Sequence, residues 1–188
     1  MSRTPSPATS RQRRLSLERC NFGICAFGRT CVQGFGPMPA KVMLVGEAPG
    51  QRELREGRPF VGPAGKLLDE LMEEAGLRRA EVYITNTCGC VDMEREDRRP
   101  LPAELEACRP RLLAEIELCA PQVILLAGNT ALQAFMPGFR IGEVAGSWRG
   151  IDGRIVIPMY HPSHVLRGAR QVRPVIVEAL RQARRLTA

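Results

Sequence analysis

Short apolar runs alternate with longer amphipathic stretches along most of this chain. Val42-Met43-Leu44-Val45, Val82-Tyr83-Ile84, Val123-Ile124-Leu125-Leu126 and Ile155-Val156-Ile157 are brief, rich in branched aliphatics and uninterrupted by polar residues. Runs of this kind suit strands buried on both faces, and they predict strands near 41–46, 82–86, 122–127 and 155–160. Between them the apolar positions recur at helical spacing. Leu67, Leu68, Leu71 and Met72 share a face that stops at Gly76, and Val175, Ile176, Ala179 and Leu180 share another. Helices are expected at 63–75, 102–119, 129–135 and 170–186. The alternation predicts an α/β fold, a three-layer αβα sandwich around a central four-stranded parallel sheet. Residues 18–188 read as one domain, preceded by an aperiodic basic tail at 1–17 that is expected to be disordered. Its Arg11-Gln12-Arg13-Arg14 cluster either adds non-specific affinity for DNA or is only a solvated leader.

The first apolar run ends in Gly46-Glu47-Ala48-Pro49-Gly50, and the loop closes with Gly57-Arg58-Pro59-Phe60-Val61-Gly62. A buried parallel strand thus delivers Glu47 to the carboxyl edge of the sheet, where open α/β sheets bind ligands. The glycines allow close backbone approach to a ligand, and Phe60 presents an aromatic face beside them. Asn86 closes the second strand and His161 follows the fourth, so both are directed to the same edge. Judged alone, Asn86 also suits a turn or a cap and His161 suits a packed polar position.

These segments together closely resemble the family-four, iron-sulfur, thermophile-type uracil-DNA glycosylases. Gly46 to Gly50, Glu53 and Gly57 to Gly62 resemble that family's first motif, Tyr83-Ile84-Thr85-Asn86 its base-reading strand, and His161-Pro162-Ser163-His164-Val165-Leu166-Arg167 its second motif. The likeness spans residues 20–186. It implies an enzyme that flips uracil out of DNA and hydrolyses its N-glycosidic bond, leaving an abasic site. It further implies that Gly46, Ala48, Phe60 and Asn86 bind the base, that Glu47, Glu53 and His161 carry the chemistry, and that Ser163, Leu166 and Arg167 meet the DNA. Asn86 would donate to O4 and accept from N3-H of uracil, a pairing that cytosine reverses. Leu54 departs from the family, in which an acidic residue usually follows the glutamate.

Charge agrees with a polyanionic partner: the formal net charge is +7 and the pI about 9.4. Lysine occurs only at Lys41 and Lys66, and arginine favours bidentate phosphate contacts, although a coding bias also yields arginine for lysine. No run of eighteen apolar residues and no signal-peptide core are present, so the protein is expected to be cytoplasmic, and a monomer bound to single- or double-stranded uracil-containing DNA.

Seven cysteines in such a compartment point to metal rather than to disulfides. Cys20, Cys25 and Cys31 precede the first strand, Cys88, Cys90 and Cys108 follow the second, and Cys119 stands apart on an apolar helical face as a small core residue. Thiolates from two distant segments suit a cubane iron-sulfur cluster, with a four-cysteine zinc site as the alternative. The resemblance implies a [4Fe-4S] cluster on Cys20, Cys25, Cys90 and Cys108. Gly23 stands where the family's second cysteine is expected, so Cys25 takes that role with Cys31 as its rival, and Cys88 reads as a neighbour of Cys90.

Two other readings remain. One is a uracil-DNA binding protein of the same fold that lacks turnover or traps its product covalently. The segment from Val91 to Pro102 has no histidine, which argues against covalent capture. The other is an iron-sulfur nucleotide-binding or redox protein, against which stand the missing P-loop lysine and the acidic Glu47.

Overall fold

The computed structural model describes residues 31–92, 94–95 and 99–188. The tail expected at 1–17, together with Cys20 and Cys25, lies outside the described residues. The apolar runs form β1 (Val42–Gly46), β2 (Val82–Asn86), β3 (Val123–Ala127) and β5 (Arg154–Met159), with β4 (Arg149–Ile151) between the last two. The sheet order is β2-β1-β3-β5-β4. All neighbours are parallel except β4 and β5. Gly46 pairs with Asn86 and Ala127 with Met159, so the carboxyl ends of the parallel strands share one edge.

The expected parallel sheet is therefore present and carries one strand more than expected. β4 returns onto β5 through Asp152-Gly153, with φ of 48° and 74°. Positive φ at both positions gives the turn whose twist matches a two-residue hairpin. The Asp-Gly pair is the sequence signal for it, but Arg149-Gly150-Ile151 is too short and too exposed to show an apolar pattern.

The helices are α1 (Gln51–Glu56), α2 (Pro63–Ala75), α3 (Pro102–Cys119), α4 (Asn129–Phe135), α5 (Ile141–Val144), α6 (Ser163–Leu166) and α7 (Arg173–Thr187). The predicted helices appear as α2, α3, α4 and α7; α1, α5 and α6 are too short to carry a repeat. Alternate residues of each strand serve opposite faces. Val42 and Leu44 meet Leu68, Leu71, Ile176 and Leu180 from α2 and α7. Met43 and Val45 meet Leu112, Ile116 and Leu132 from α3 and α4, where Cys119 is a fully buried core residue. Burial on both faces is why these strands read as unbroken apolar runs. Among the described residues no helix is long and apolar enough to cross a membrane.

Candidate functional site

A cleft of about 550 Å³ opens at the carboxyl edge, lined by Ala48, Glu53, Phe60, Asn86 and His161 among others. Gly46, the last residue of β1, packs against two of these side chains. A Cβ there would lie 2.4 Å from Asn86 Oδ1 and 2.6 Å from the Phe60 ring, so any side chain at 46 would collide with both and displace them. Asn86 is buried, and no hydrogen bond engages its amide among the described residues. The amide is thus free to read a ligand while its cost of burial is carried by the fold.

Phe60 is held by the chain around it. Its φ of 53° is left-handed, an uncommon state for an aromatic residue. Three contacts fix it. Glu53 Oε1 accepts the backbone N–H of Val61 at 3.1 Å and of Gly62 at 2.9 Å. Arg79 Nη2 donates to Pro59 O at 2.9 Å. Gly65, in the first turn of α2, lies so close that a Cβ would stand 1.9 Å from Phe60 O. The ring faces His161 at a centroid separation of 5.6 Å and a tilt of 34°.

His161 follows β5. The Ser163 backbone N–H donates to its Nδ1 at 3.2 Å, and the Ser163 hydroxyl lies 2.8 Å from the same nitrogen. A backbone amide can only donate, so Nδ1 is the acceptor and the proton of the neutral ring sits on Nε2. Burial, then His164 and Arg167, push the His161 pKa down to about 4. Arg167 also donates to Ser163 Oγ at 3.0 Å, which frees that hydroxyl's proton for Nδ1. Leu166 and Arg167 are exposed beside the cleft, and His164 leans on Tyr160 without entering it.

Of the two glutamates, Glu53 is buried and occupied in holding the Phe60 loop. Glu47 is half-buried, one residue before the cleft-lining Ala48, and its carboxylate accepts the hydroxyl of Thr130 from α4. Thr130 was not legible as a site residue, since a threonine in the first turn of a short helix has no distinguishing pattern. It also borders a second cleft, about 570 Å³, between α3, α4 and the β4–β5 hairpin. That cleft is mostly apolar and contains none of the expected site residues.

On the other side of Asn86 the chain turns into a cysteine corner. Cys88, Cys90 and Cys108 are buried together and Cys31 packs against them. Cys88 Sγ lies 3.6 Å from Cys108 Sγ, and the Gly89 N–H points to Cys108 Sγ at 3.4 Å. Hydrogen bonds from Cys88 and Cys90 hold the Cys108 thiol far below its ordinary range, whereas the bond to Cys108 raises both Cys88 and Cys90. The structure brings the expected Cys90 and Cys108 together, and packs with them Cys88, expected as a neighbour of Cys90, and Cys31, the rival of Cys25. Among the described residues, no group of three or more donors is arranged to hold a metal ion.

Residues 33–184 match the sequence model of the Uracil DNA glycosylase superfamily. The chain is 42% identical over 175 residues to a type-4 uracil-DNA glycosylase of Thermotoga maritima, covering 89% of each protein. It is 40% identical over 144 residues to the type-4 enzyme of Archaeoglobus fulgidus, covering 72% of this chain and 71% of that one. The type-4 enzyme of Pyrobaculum aerophilum is 37% identical over 150 residues, covering 75% of this chain and 76% of its own.

Proposed function

Since this chain belongs to the Uracil DNA glycosylase superfamily, we propose that it is a DNA-repair glycosylase that flips uracil from DNA and hydrolyses the bond between N1 and C1′. The observation that carries this reading is the cleft at the carboxyl edge, where the buried Asn86 amide, the Phe60 ring and His161 converge on one cavity. A pyrimidine read there by Asn86 stacks on Phe60, a contact that contributes about 1–3 kcal/mol. The Asn86 amide donates to O4 and accepts from N3-H. Cytosine presents a donor and an acceptor in the reverse order, and the buried mismatch disfavours it.

Bond cleavage leaves the electron pair on uracil and positive charge on the sugar. His161 Nε2–H donates to O2 as the anion forms, and its low pKa keeps the ring neutral so that no proton must be lost first. Glu47, braced by Thr130, is the carboxylate left to face the sugar. It stabilises the oxocarbenium-like centre by charge and takes the proton of the water that adds to C1′. Glu53 acts through the Phe60 loop it holds. Leu166 fills the vacated stack and Arg167 meets a phosphate.

A [4Fe-4S] cluster would be held by Cys90 and Cys108 together with Cys20 and Cys25, and it would supply a covalent tie between two distant segments. The soft, all-sulfur donor set of the corner suits it, with Cys31 and Cys88 packed beside Cys90 and Cys108. The partner is uracil-containing DNA, met by a monomer of net charge +7.

The test is single-turnover incubation with single- and double-stranded oligonucleotides carrying uracil, cytosine or thymine, followed by alkali and a denaturing gel. Alkali-labile breaks at uracil alone are expected. Absence of breaks, or a product that stays bound to protein after denaturation, would overturn turnover as the function.

A further inference from the structure

β2 is an edge strand, and among the described residues the backbone pairing on its outer side is at Ile84, which exchanges hydrogen bonds with Phe35. Two residues further on, the outward carbonyls of the base-reading end would have no strand to pair with. Arg111 of α3 takes that place. Its Nη2 donates to Asn86 O at 2.5 Å and to Thr87 O at 3.1 Å, and its Nη1 to Thr85 Oγ1 at 3.2 Å and Glu115 Oε1 at 2.8 Å. Both Arg111 and Glu115 are buried, and Glu115 also accepts from Thr85 Oγ1 at 2.6 Å. The fifth donor, Nε, is buried with no partner among the described residues. It points toward Gly89, where a Cβ would stand 3.3 Å away, and Gly89 is the residue whose N–H meets Cys108 Sγ.

A rigid guanidinium fork with three donors spent on the end of the base-reading strand and a fourth on Glu115 leaves a fifth directed at the cysteine corner. An anionic sulfur there is the acceptor that would complete it, as a metal-bound cysteine is. Lysine cannot replace this fork, because one ammonium cannot span two carbonyls and also reach a sulfur.

We propose that Arg111 is a positioning residue that ties the end of the base-reading strand, and with it the Asn86 amide, to the cysteine corner. This rests on Asn86 being the uracil reader. Disturbing the corner shifts the fork and so the amide, while losing the fork alters the surroundings of the Cys108 sulfur. An ordinary buried ion pair predicts neither effect.

The iron-loaded protein is compared with Arg111→Lys and with the double variant Arg111→Met/Glu115→Leu, which leaves no lone buried charge. Single-turnover excision of uracil, its ratio to excision at cytosine, and the visible absorption and reduction potential of the metal centre are measured together. Both variants are expected to melt cooperatively and keep their iron, yet to excise uracil roughly 10- to 100-fold more slowly, the scale of one or two lost hydrogen bonds. A narrowed uracil-to-cytosine ratio and a shifted potential should accompany this. Folded Arg111→Lys protein with unchanged excision, ratio and potential overturns the proposal, and it decides the matter alone should the double variant not fold. Wild-type protein that leaves uracil intact sinks the functional reading instead, and the shift in potential then decides the tie between Arg111 and the centre.

Discussion

In the base pocket the placing contacts come from the polypeptide itself, whereas the cysteine corner gathers thiols whose proposed partner is a metal cluster. Phe60 is fixed by Glu53, Arg79 and Gly65, and His161 has its tautomer set by Ser163. Across the end of β2, four thiols gather without forming a metal site among the described residues, and Arg111 Nε has no acceptor. The pocket is preorganised, so binding energy is not spent on ordering it. On the proposed reading the corner holds a metal cluster, and its stability is then linked to that cluster's presence.

The largest effect should therefore follow from emptying the corner. Cys90→Ala or Cys108→Ala is expected to lose iron, fold poorly and melt lower by ~10 °C or more, as a few kcal/mol of lost linkage implies for a domain this size. Protein purified anaerobically should be brown, with about four irons per chain as a cubane requires. A colourless protein with one zinc, or a Cys108→Ala protein that melts like wild type, would reverse the contrast.

In the pocket the fold should survive and the chemistry suffer. His161→Ala is expected to lose roughly 10²- to 10³-fold in single-turnover rate, the scale of one lost oxyanion donor, with little change in binding of an uncleavable substrate. A pH effect on stability accompanies it. The folded His161 holds its pKa near 4 against an ordinary 6.5, so the unfolded chain takes up a proton first as pH falls. Stability should decline from about pH 6.5 toward 4, and the decline should be shallower in His161→Asn. Urea midpoints at pH 7 and pH 4.5 for the two proteins settle this; parallel declines would show that His161 is not the group responsible.

The same contrast explains what could be read in the sequence. The parallel strands were legible because burial on both faces leaves unbroken apolar runs such as Val123 to Leu126, and the pocket was legible because Gly46, Asn86 and His161 sit immediately at strand ends. Strand β4 was not, since Arg149-Gly150-Ile151 owes its existence to the Asp152-Gly153 turn rather than to a buried face. The distinct tasks of the two glutamates were not legible either. Sequence brings both to one loop, and only the hydrogen bonds show Glu53 turned toward backbone and Glu47 toward Thr130. Arg111 was hidden as one arginine among many. The i, i+4 spacing to Glu115 on α3 was its only mark, and exposed helix faces carry the same spacing.

Glu53 offers an intermediate test. Glutamine retains an oxygen able to accept from Val61 and Gly62, whereas alanine leaves both N–H groups without it. Glu53→Ala is expected to cost about 2 kcal/mol in stability and to slow excision more than Glu53→Gln does. If the glutamine form is as slow as the alanine form, charge at Glu53 matters to the chemistry, and its work is not confined to holding the loop.

The smallest effect belongs to Arg167, which lies at the pocket's outer rim and reaches inward through its hydrogen bond to Ser163 and its charge near His161. Removing an exposed phosphate contact weakens DNA binding about equally for every sequence and lowers the slope of log affinity against log salt by about one. Arg167→Ala should therefore bind uracil-containing and ordinary DNA more weakly by a similar few-fold factor. Its single-turnover rate at saturating DNA should stay near wild type, because Ser163 N–H still holds His161 Nδ1 when the guanidinium is gone. Fluorescence anisotropy across a salt series gives the slope, and rapid quench gives the rate. An unchanged slope combined with a slower chemical step would mean that Arg167 acts through Ser163 on the imidazole, which would move it from the DNA-facing rim into the preorganised interior of the pocket.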